Sequence, residues 1–194
     1  MARTQAVDYD QKRDAITQAA AYLFAESGFN GSSISQLSVQ CKTSKSLIYH
    51  YYPSKEAILF DVMNVHVDDL ICVIEEIESL TGSPVKKFKT LASKLMQCCV
   101  DAADYHRVLL YELDNLPTKE RRTIVEKQRR IAHCAESLLS QIEAKKRGKN
   151  SDLGPKVMLF FGMLNWTHNW YNPKGSIERD QLAEMAAEMT INSV

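Results

Sequence analysis

Apolar residues along this chain recur at helical spacing, and nowhere with the strict alternation of a half-buried strand. Ile16, Ala19, Ala20, Leu23 and Phe24 make the first stripe, and Gly28 ends it as a residue able to turn left-handed. The helix is expected to begin near Asp10, with residues 1–9 as a loose polar arm. Two short helices then span Ser33 to Tyr52, the first with Ile34 and Leu37 inward, the second with Leu47 and Ile48 inward. Pro53 breaks the chain, and a long helix is expected from Lys55 to about Leu80. Thr81-Gly82-Ser83-Pro84 stops it, and Pro84 suits the first turn of a helix carrying Phe88, Leu91, Leu95, Met96 and Cys99. A shorter piece holds Val108 to Leu113, and Asn115-Leu116-Pro117-Thr118 breaks it. The cleanest period runs from Ile124 to Ile142 and ends in the basic run Lys145 to Lys149, read as a solvated helix end. Asp152 to Tyr171 is apolar on nearly every side, which predicts a helix buried all round. A final helix is expected from about Ser176, with Leu182, Met185, Ala186 and Met189 on one face. The chain is therefore read as all-α, with about nine helices.

Two short helices joined by a tight turn match a helix-turn-helix, whose second helix enters the DNA major groove. Ser33 and Ser44 are placed to cap the two helices, because a serine side chain can accept from the free backbone N–H groups of the first turn. With Leu47 and Ile48 inward, Lys45, Tyr49 and His50 are left outside, where they can reach phosphates, and Lys45 also a guanine edge. Lys42, Thr43 and Ser46 are the candidates for base readout. Lys55 lies at a helix start, where free N–H groups favour an anion, and Ser32 and Ser33 flank another such start.

The run Ser44-Lys45-Ser46-Leu47-Ile48-Tyr49-His50-Tyr51-Tyr52-Pro53-Ser54-Lys55-Glu56, with Phe24, Gly28 and Phe29 upstream, resembles the TetR family of bacterial transcriptional repressors. The resemblance implies a three-helix DNA-binding head at residues 1–54 and a ligand-sensing, dimerising body at 55–194. It implies that Tyr49, His50 and Lys55 touch the DNA backbone and that Tyr52 packs inside. Two positions depart from the family pattern: Lys42 stands where Gly is usual in the turn, and Thr43 where Val is usual. A left-handed backbone at Lys42 would be strained by about 1 kcal/mol.

Composition narrows the partners. The 194 residues carry 24 basic and 24 acidic side chains, so nucleic-acid binding must come from a local patch. The head itself has one net positive charge, from Arg3, Lys12, Arg13, Lys42, Lys45 and Lys55 against Asp8, Asp10, Asp14, Glu26 and Glu56. No apolar run approaches the roughly 20 residues of a membrane span, and the start of the chain lacks the apolar centre of a signal peptide. A cytoplasmic protein is expected. The five cysteines form no Cys-x-x-Cys pair, which argues against a disulfide framework and for small buried hydrophobes. The sharper alternative is a thiol switch at Cys98-Cys99, with Lys94 as the one nearby cation.

Beyond residue 60 the resemblance loosens. Tyr111 to Pro117, Arg121-Arg122 and Gln128-Arg129-Arg130, together with Met163 to Pro173, are similar to TetR-type regulators that sense acyl-coenzyme A thioesters, phenylacetyl-coenzyme A sensors in particular. Such a ligand needs an apolar slot and cations for its phosphates. Tyr105, Tyr111, Trp166 and Trp170 are candidates for the slot, Arg121, Arg122, Arg129 and Arg130 for the phosphates, and Asn165 is a further ligand-binding candidate. The alternative is that the tryptophans belong to the core or a dimer interface and that the arginines pair with neighbouring acids. His106, His133 and His168 have no carboxylate or cysteine at metal-ligand spacing, and no nucleophile–base pair or phosphate loop argues for catalysis. Neither a cofactor nor a metal is expected. The function expected is a homodimeric repressor that binds double-stranded operator DNA and is released by a small-molecule effector. The rival reading is an all-helical acyl-thioester carrier or enzyme.

Overall fold

A computed structural model describes residues 2–146 and 153–194, with side chains from Tyr9 to Ala144 in the first stretch. Among the described residues there are nine α-helices, two 3-10 turns and no strand. The helices are α1 (Ala2–Ser27), α2 (Ile34–Gln40), α3 (Lys45–Tyr51), α4 (Lys55–Ser79), α5 (Pro84–Asp101), α6 (Ala103–Tyr111), α7 (Thr118–Lys146), α8 (Leu153–Trp166) and α9 (Arg179–Ile191). The 3-10 turns are Leu113–Asn115 and Thr167–Asn169. Residues 147–152, with most of the basic run after α7, lie outside the described residues.

The expected stop and start signals set most boundaries. Gly28 adopts φ +71° after α1. Ser33 accepts from Gln36 N–H at 3.2 Å, Ser44 from Leu47 N–H at 3.1 Å, Ser54 from Ala57 N–H at 3.2 Å and Ser83 from Lys86 N–H at 3.3 Å. Pro84 opens α5, where its missing N–H leaves nothing unpaired.

Three expectations need correction. The polar arm is helical: α1 begins at Ala2, because nothing from Ala2 to Tyr9 interrupts it and Ala, Arg and Gln favour helices. The last helix starts at Arg179, where the Glu178 N–H donates to the Gln181 side chain at 3.1 Å. The segment from Asp152 to Tyr171 is not buried all round. Its helix ends at Trp166, and only Val157, Phe160 and Leu164 are buried along it. Leu159 is 70% exposed and Trp166 62%.

The contacts divide the chain into two units. The first comprises Met1–His66 and Asp104–Ile124. Its core gathers Phe24, whose ring meets Phe29 edge-on at 5.5 Å, with Leu37, Ile48, Ile58 and Leu59. The second comprises Val67–Ala103 and Val125–Val194. Here α5 packs on α9 and both meet α8. Phe88 and Phe160 stack with centroids 4.9 Å apart, and Lys89 bridges Glu184 at 3.1 Å and Glu188 at 2.7 Å. No described helix is long and apolar enough to cross a membrane.

Candidate functional site

The α2–turn–α3 motif is built by caps, a strained turn and one inward side chain on α3. Ile48 is fully buried, and Tyr52 closes the helix from inside the core. Between the helices, Lys42 adopts φ +51°, the left-handed conformation that glycine takes without strain. Its side chain is exposed.

With Ile48 anchored, Lys45, Ser46, Tyr49 and His50 lie on the exposed side of α3. Thr43 is half-buried at the turn, and Ser44 is exposed with its hydroxyl engaged as the cap. Ser33 is likewise an exposed cap, and its hydroxyl donates to Gln36 Oε1 at 2.8 Å. One exposed face therefore offers ammonium, hydroxyl, phenol and imidazole groups. These can meet phosphates and base edges together.

Two of the expected DNA contacts are placed elsewhere. Ser32 is buried, and its hydroxyl donates to the Gly28 carbonyl at 2.5 Å and the Leu23 carbonyl at 3.4 Å. The Lys55 ammonium donates to the Phe29 carbonyl at 2.6 Å and the Ser32 carbonyl at 2.8 Å, and lies 4.0 Å over the Phe29 ring. These carbonyls belong to the loop after α1, so Lys55 ties the start of α4 to that loop.

Behind α3 lies a polar cluster that the periodicity did not suggest. The Tyr52 hydroxyl hydrogen-bonds to Asp61, lies 2.8 Å from the Thr17 hydroxyl and accepts from Arg13 Nε at 3.2 Å. Arg13 Nη2 pairs with Asp61 at 2.6 Å. Burial and the Asp61 hydrogen bond push the Tyr52 phenol up to about 12, so it stays a neutral donor. The signal was present in the sequence. Asp61 interrupts the apolar stripe of Ile58, Leu59 and Val62, and a buried acid needs a partner. A further outward residue that the periodicity did not mark is Val39 on α2, an apolar side chain 78% exposed beside the turn.

The effector candidates are not gathered in one place within either unit. Tyr105, Tyr111, Arg121 and Arg122 belong to the first unit; Tyr111 is exposed, and Arg121 pairs with Asp114 at 2.8 Å. Arg129, Arg130, Asn165, Trp166 and Trp170 belong to the second. Arg129 is exposed, and Arg130 pairs with Glu75 at 3.1 Å. Asn165 is half-buried, its carbonyl meeting His168 Nδ1 at 2.5 Å. Trp166 and Trp170 do come together. With Leu159, Met163, Met185 and Met189 they line an apolar groove of about 520 Å3, to which no arginine contributes.

The first unit also holds a buried imidazole pair. His66 Nε2 lies 3.0 Å from His106 Nδ1, and burial pushes His66 down to about 4. The five cysteines are free thiols; Cys99 and Cys134 are buried, as expected of small hydrophobes, but Cys72 is exposed. Burial lifts the Cys99 thiol to about 12, and burial with the nearby Asp69 and Asp101 also raises the Cys98 thiol, so both shifts disfavour the thiolate at neutral pH.

Comparison with known proteins agrees with this architecture. Residues 16–62 match the family model described as bacterial regulatory proteins, tetR family, and residues 81–194 match the tetracyclin repressor-like C-terminal domain. The chain is 31% identical over 110 residues to the HTH-type transcriptional regulator YuxN of Bacillus subtilis (strain 168), covering 57% of this chain and 38% of that protein. The match therefore spans less than half the length of that relative. Among solved structures, a TetR-family transcriptional regulator from Bordetella parapertussis 12822 is 34% identical, with TM-score 0.86 over 92% of this chain and 93% of the other. AibR, solved in complex with isovaleryl coenzyme A and operator DNA, shares the fold at 23% identity and TM-score 0.82, over 92% of this chain and 97% of that one. With model matches across both its helix-turn-helix and its helical body, this chain belongs to the TetR family of transcriptional regulators.

Proposed function

We propose that this protein is a cytoplasmic, homodimeric repressor that binds double-stranded operator DNA through α3 and releases it when a small-molecule effector binds. Residues 1–54 serve as the DNA-binding head and 55–194 as the sensing and dimerising body. The observation that carries the reading is the exposed face of α3. Lys45, Ser46, Tyr49 and His50 stand together on it while Ile48 and Tyr52 fix the helix from behind. An all-helical carrier or enzyme has no use for that face. Lys42 and Thr43 at the turn, with Val39 beside them, extend it; Val39 suits contact with a thymine methyl group.

The effector class we favour is an acyl-coenzyme A thioester, phenylacetyl-coenzyme A in particular. Its support is the likeness of the Tyr111–Pro117 and Met163–Pro173 stretches to such sensors, and the fold shared with AibR, which binds isovaleryl coenzyme A. Trp166 and Trp170 are better assigned to the dimer. Leu159, Trp166, Trp170, Met185 and Met189 form an exposed apolar surface on α8, α9 and the turn between them, which a second copy would cover about a two-fold axis. The effector shifts the population between DNA-competent and DNA-incompetent arrangements of the two heads. Fluorescence anisotropy on the promoter DNA, with phenylacetyl-coenzyme A, coenzyme A and phenylacetate added in turn, tests the reading. Operator release by the thioester alone is expected, and release by phenylacetate at equal concentration refutes the coenzyme A class.

A further inference from the structure

The first unit contains a cleft of about 590 Å3 beside the buried polar cluster. Its walls come from α1, the junction of α3 with α4, and the start of α7. That volume suits a small organic molecule. Contacts within the unit fix the walls. Arg13 pairs with Asp61 at 2.6 Å, which joins α1 to α4, and the Tyr52 hydroxyl lies 2.8 Å from that of Thr17. The Tyr51 ring rests against Tyr9, with centroids 4.6 Å apart. Asn30 donates to Asn115, in the turn that leads to α7, at 3.0 Å.

The charges of the lining select the ligand. Its ionic side chains are Arg13, Glu56, Lys119 and Glu120. Arg13 is already engaged: besides its pair with Asp61, it donates to the Tyr52 hydroxyl at 3.2 Å and lies 5.7 Å from the centre of the Tyr52 ring. The other three form no ion pair among the described residues. Lys119 is exposed, whereas Glu56, in the first turn of α4, and Glu120, in the first turn of α7, are half-buried. With Arg13 and Asp61 cancelling, two carboxylates stand against one ammonium, and the cleft keeps one net negative charge. An anion would meet the two less hydrated carboxylates and only a solvated lysine; a cation meets the reverse. Two half-buried rings, Tyr51 and Phe60, belong to the same lining. Aromatic faces attract an organic ammonium ion, most strongly when it sheds part of its water. Hard metal ions ask for more oxygens than two carboxylates supply.

We propose that this cleft binds an organic ammonium ion bearing an aromatic or bulky apolar group. Glu56 and Glu120 balance its charge, and the rings of Tyr51 and Phe60 pack around it. It is a second ligand site, apart from the exposed face of α3 and from the groove on α8 and α9. It requires neither the operator reading nor the coenzyme A reading.

The test is isothermal titration calorimetry of the full chain with benzyltriethylammonium, with benzenesulfonate and with benzyl alcohol, all at one ionic strength. Wild type is compared with Glu56→Gln, Glu120→Gln, Phe60→Leu and, as a control in the second unit, Glu136→Gln. Each variant is checked for its helical circular dichroism and melting temperature. The ammonium ion should bind once per chain, more tightly than the sulfonate or the alcohol. Each glutamine variant should weaken it about threefold, and the double variant about tenfold. Phe60→Leu keeps an apolar side chain but removes the ring, and should weaken binding about two- to fivefold. Glu136→Gln should bind as wild type does. The proposal is overturned if the ammonium ion fails to saturate the protein at millimolar concentration, or if the sulfonate or the alcohol binds as tightly. It is equally overturned if either glutamine variant or Phe60→Leu keeps wild-type affinity, or if Glu136→Gln loses as much.

Discussion

The ammonium of Lys55 lies 2.6 Å from the carbonyl oxygen of Phe29 and 4.0 Å from the centre of its ring. A cation at a helix start reads in sequence as an anion-binding group, yet here it satisfies two loop carbonyls and shields an aromatic core residue. Removing it leaves those carbonyls short of a donor. Lys55→Ala is expected to destabilise the protein by about 1–3 kcal/mol, seen as a lower urea midpoint at unchanged slope. DNA binding measured well below that midpoint should keep its salt slope, because the proposed phosphate contacts lie on α3. A reduced slope with unchanged stability would return Lys55 to the DNA interface.

The His66–His106 pair predicts sensitivity to acid. His66 sits at about 4 when folded, against about 6.5 for a free histidine, so the fold disfavours its charged form. Stability from this source is fully present above about pH 6.5 and falls as pH drops toward 4, by at most about 3 kcal/mol. The melting temperature should decline across that window in wild type. His66→Gln should flatten the decline; an unaltered profile would refute the assignment.

A side-chain relay joins the loop after α1 to the turn after α6. Asn30 Nδ2 donates to Asn115 Oδ1 at 3.0 Å, Asn115 Nδ2 donates to Glu112 Oε2 at 2.7 Å, and Arg107 pairs with Glu26 at 3.1 Å. These hydrogen bonds and this ion pair link α1 and the loop that leads into the helix-turn-helix to α6 and the turn after it, within one unit. Asn115→Ala is expected to leave operator affinity nearly intact while reducing the effector-driven loss of affinity, a coupling change of about 0.5–2 kcal/mol. Calorimetry and anisotropy on the same variant separate the two effects.

The helix-turn-helix was legible because its determinants are local. Serine caps, a proline break and a three-residue apolar spacing act within one turn of the chain, and Ser33, Ser44, Ser54 and Pro84 behave as that chemistry dictates. What escaped depends on residues far apart in sequence. Asp61 finds Arg13 and Tyr52 only after α1 and α4 pack, and Lys55 chooses carbonyls over solvent only once Phe29 is beneath it. Leu159 and Trp166 escaped for another reason. Hydrophobicity all round a helix reports that every face is to be covered, but not whether its own chain does the covering.

That distinction gives a prediction for assembly. Leu164 is buried within its own chain, so a charge there disrupts the fold itself. Leu159 and Met189 are exposed, at 70% and 64%. Leu159→Glu and Met189→Glu are therefore expected to stay folded and to sediment as monomers at micromolar concentration, where wild type is expected to sediment as a dimer. A monomeric wild type would remove the two-fold reading.

The most direct test of operator recognition through α3 is the affinity of the protein for its own promoter DNA as a function of salt, in wild type, Tyr49→Phe and Lys45→Ala. Tyr49 is 53% exposed, and neither side chain supports the core. Each variant should bind more weakly at unchanged melting temperature, and the slope of log affinity against log salt should fall by about one unit for each phosphate that the variant no longer touches. Affinity and slope equal to wild type in both variants would contradict the account.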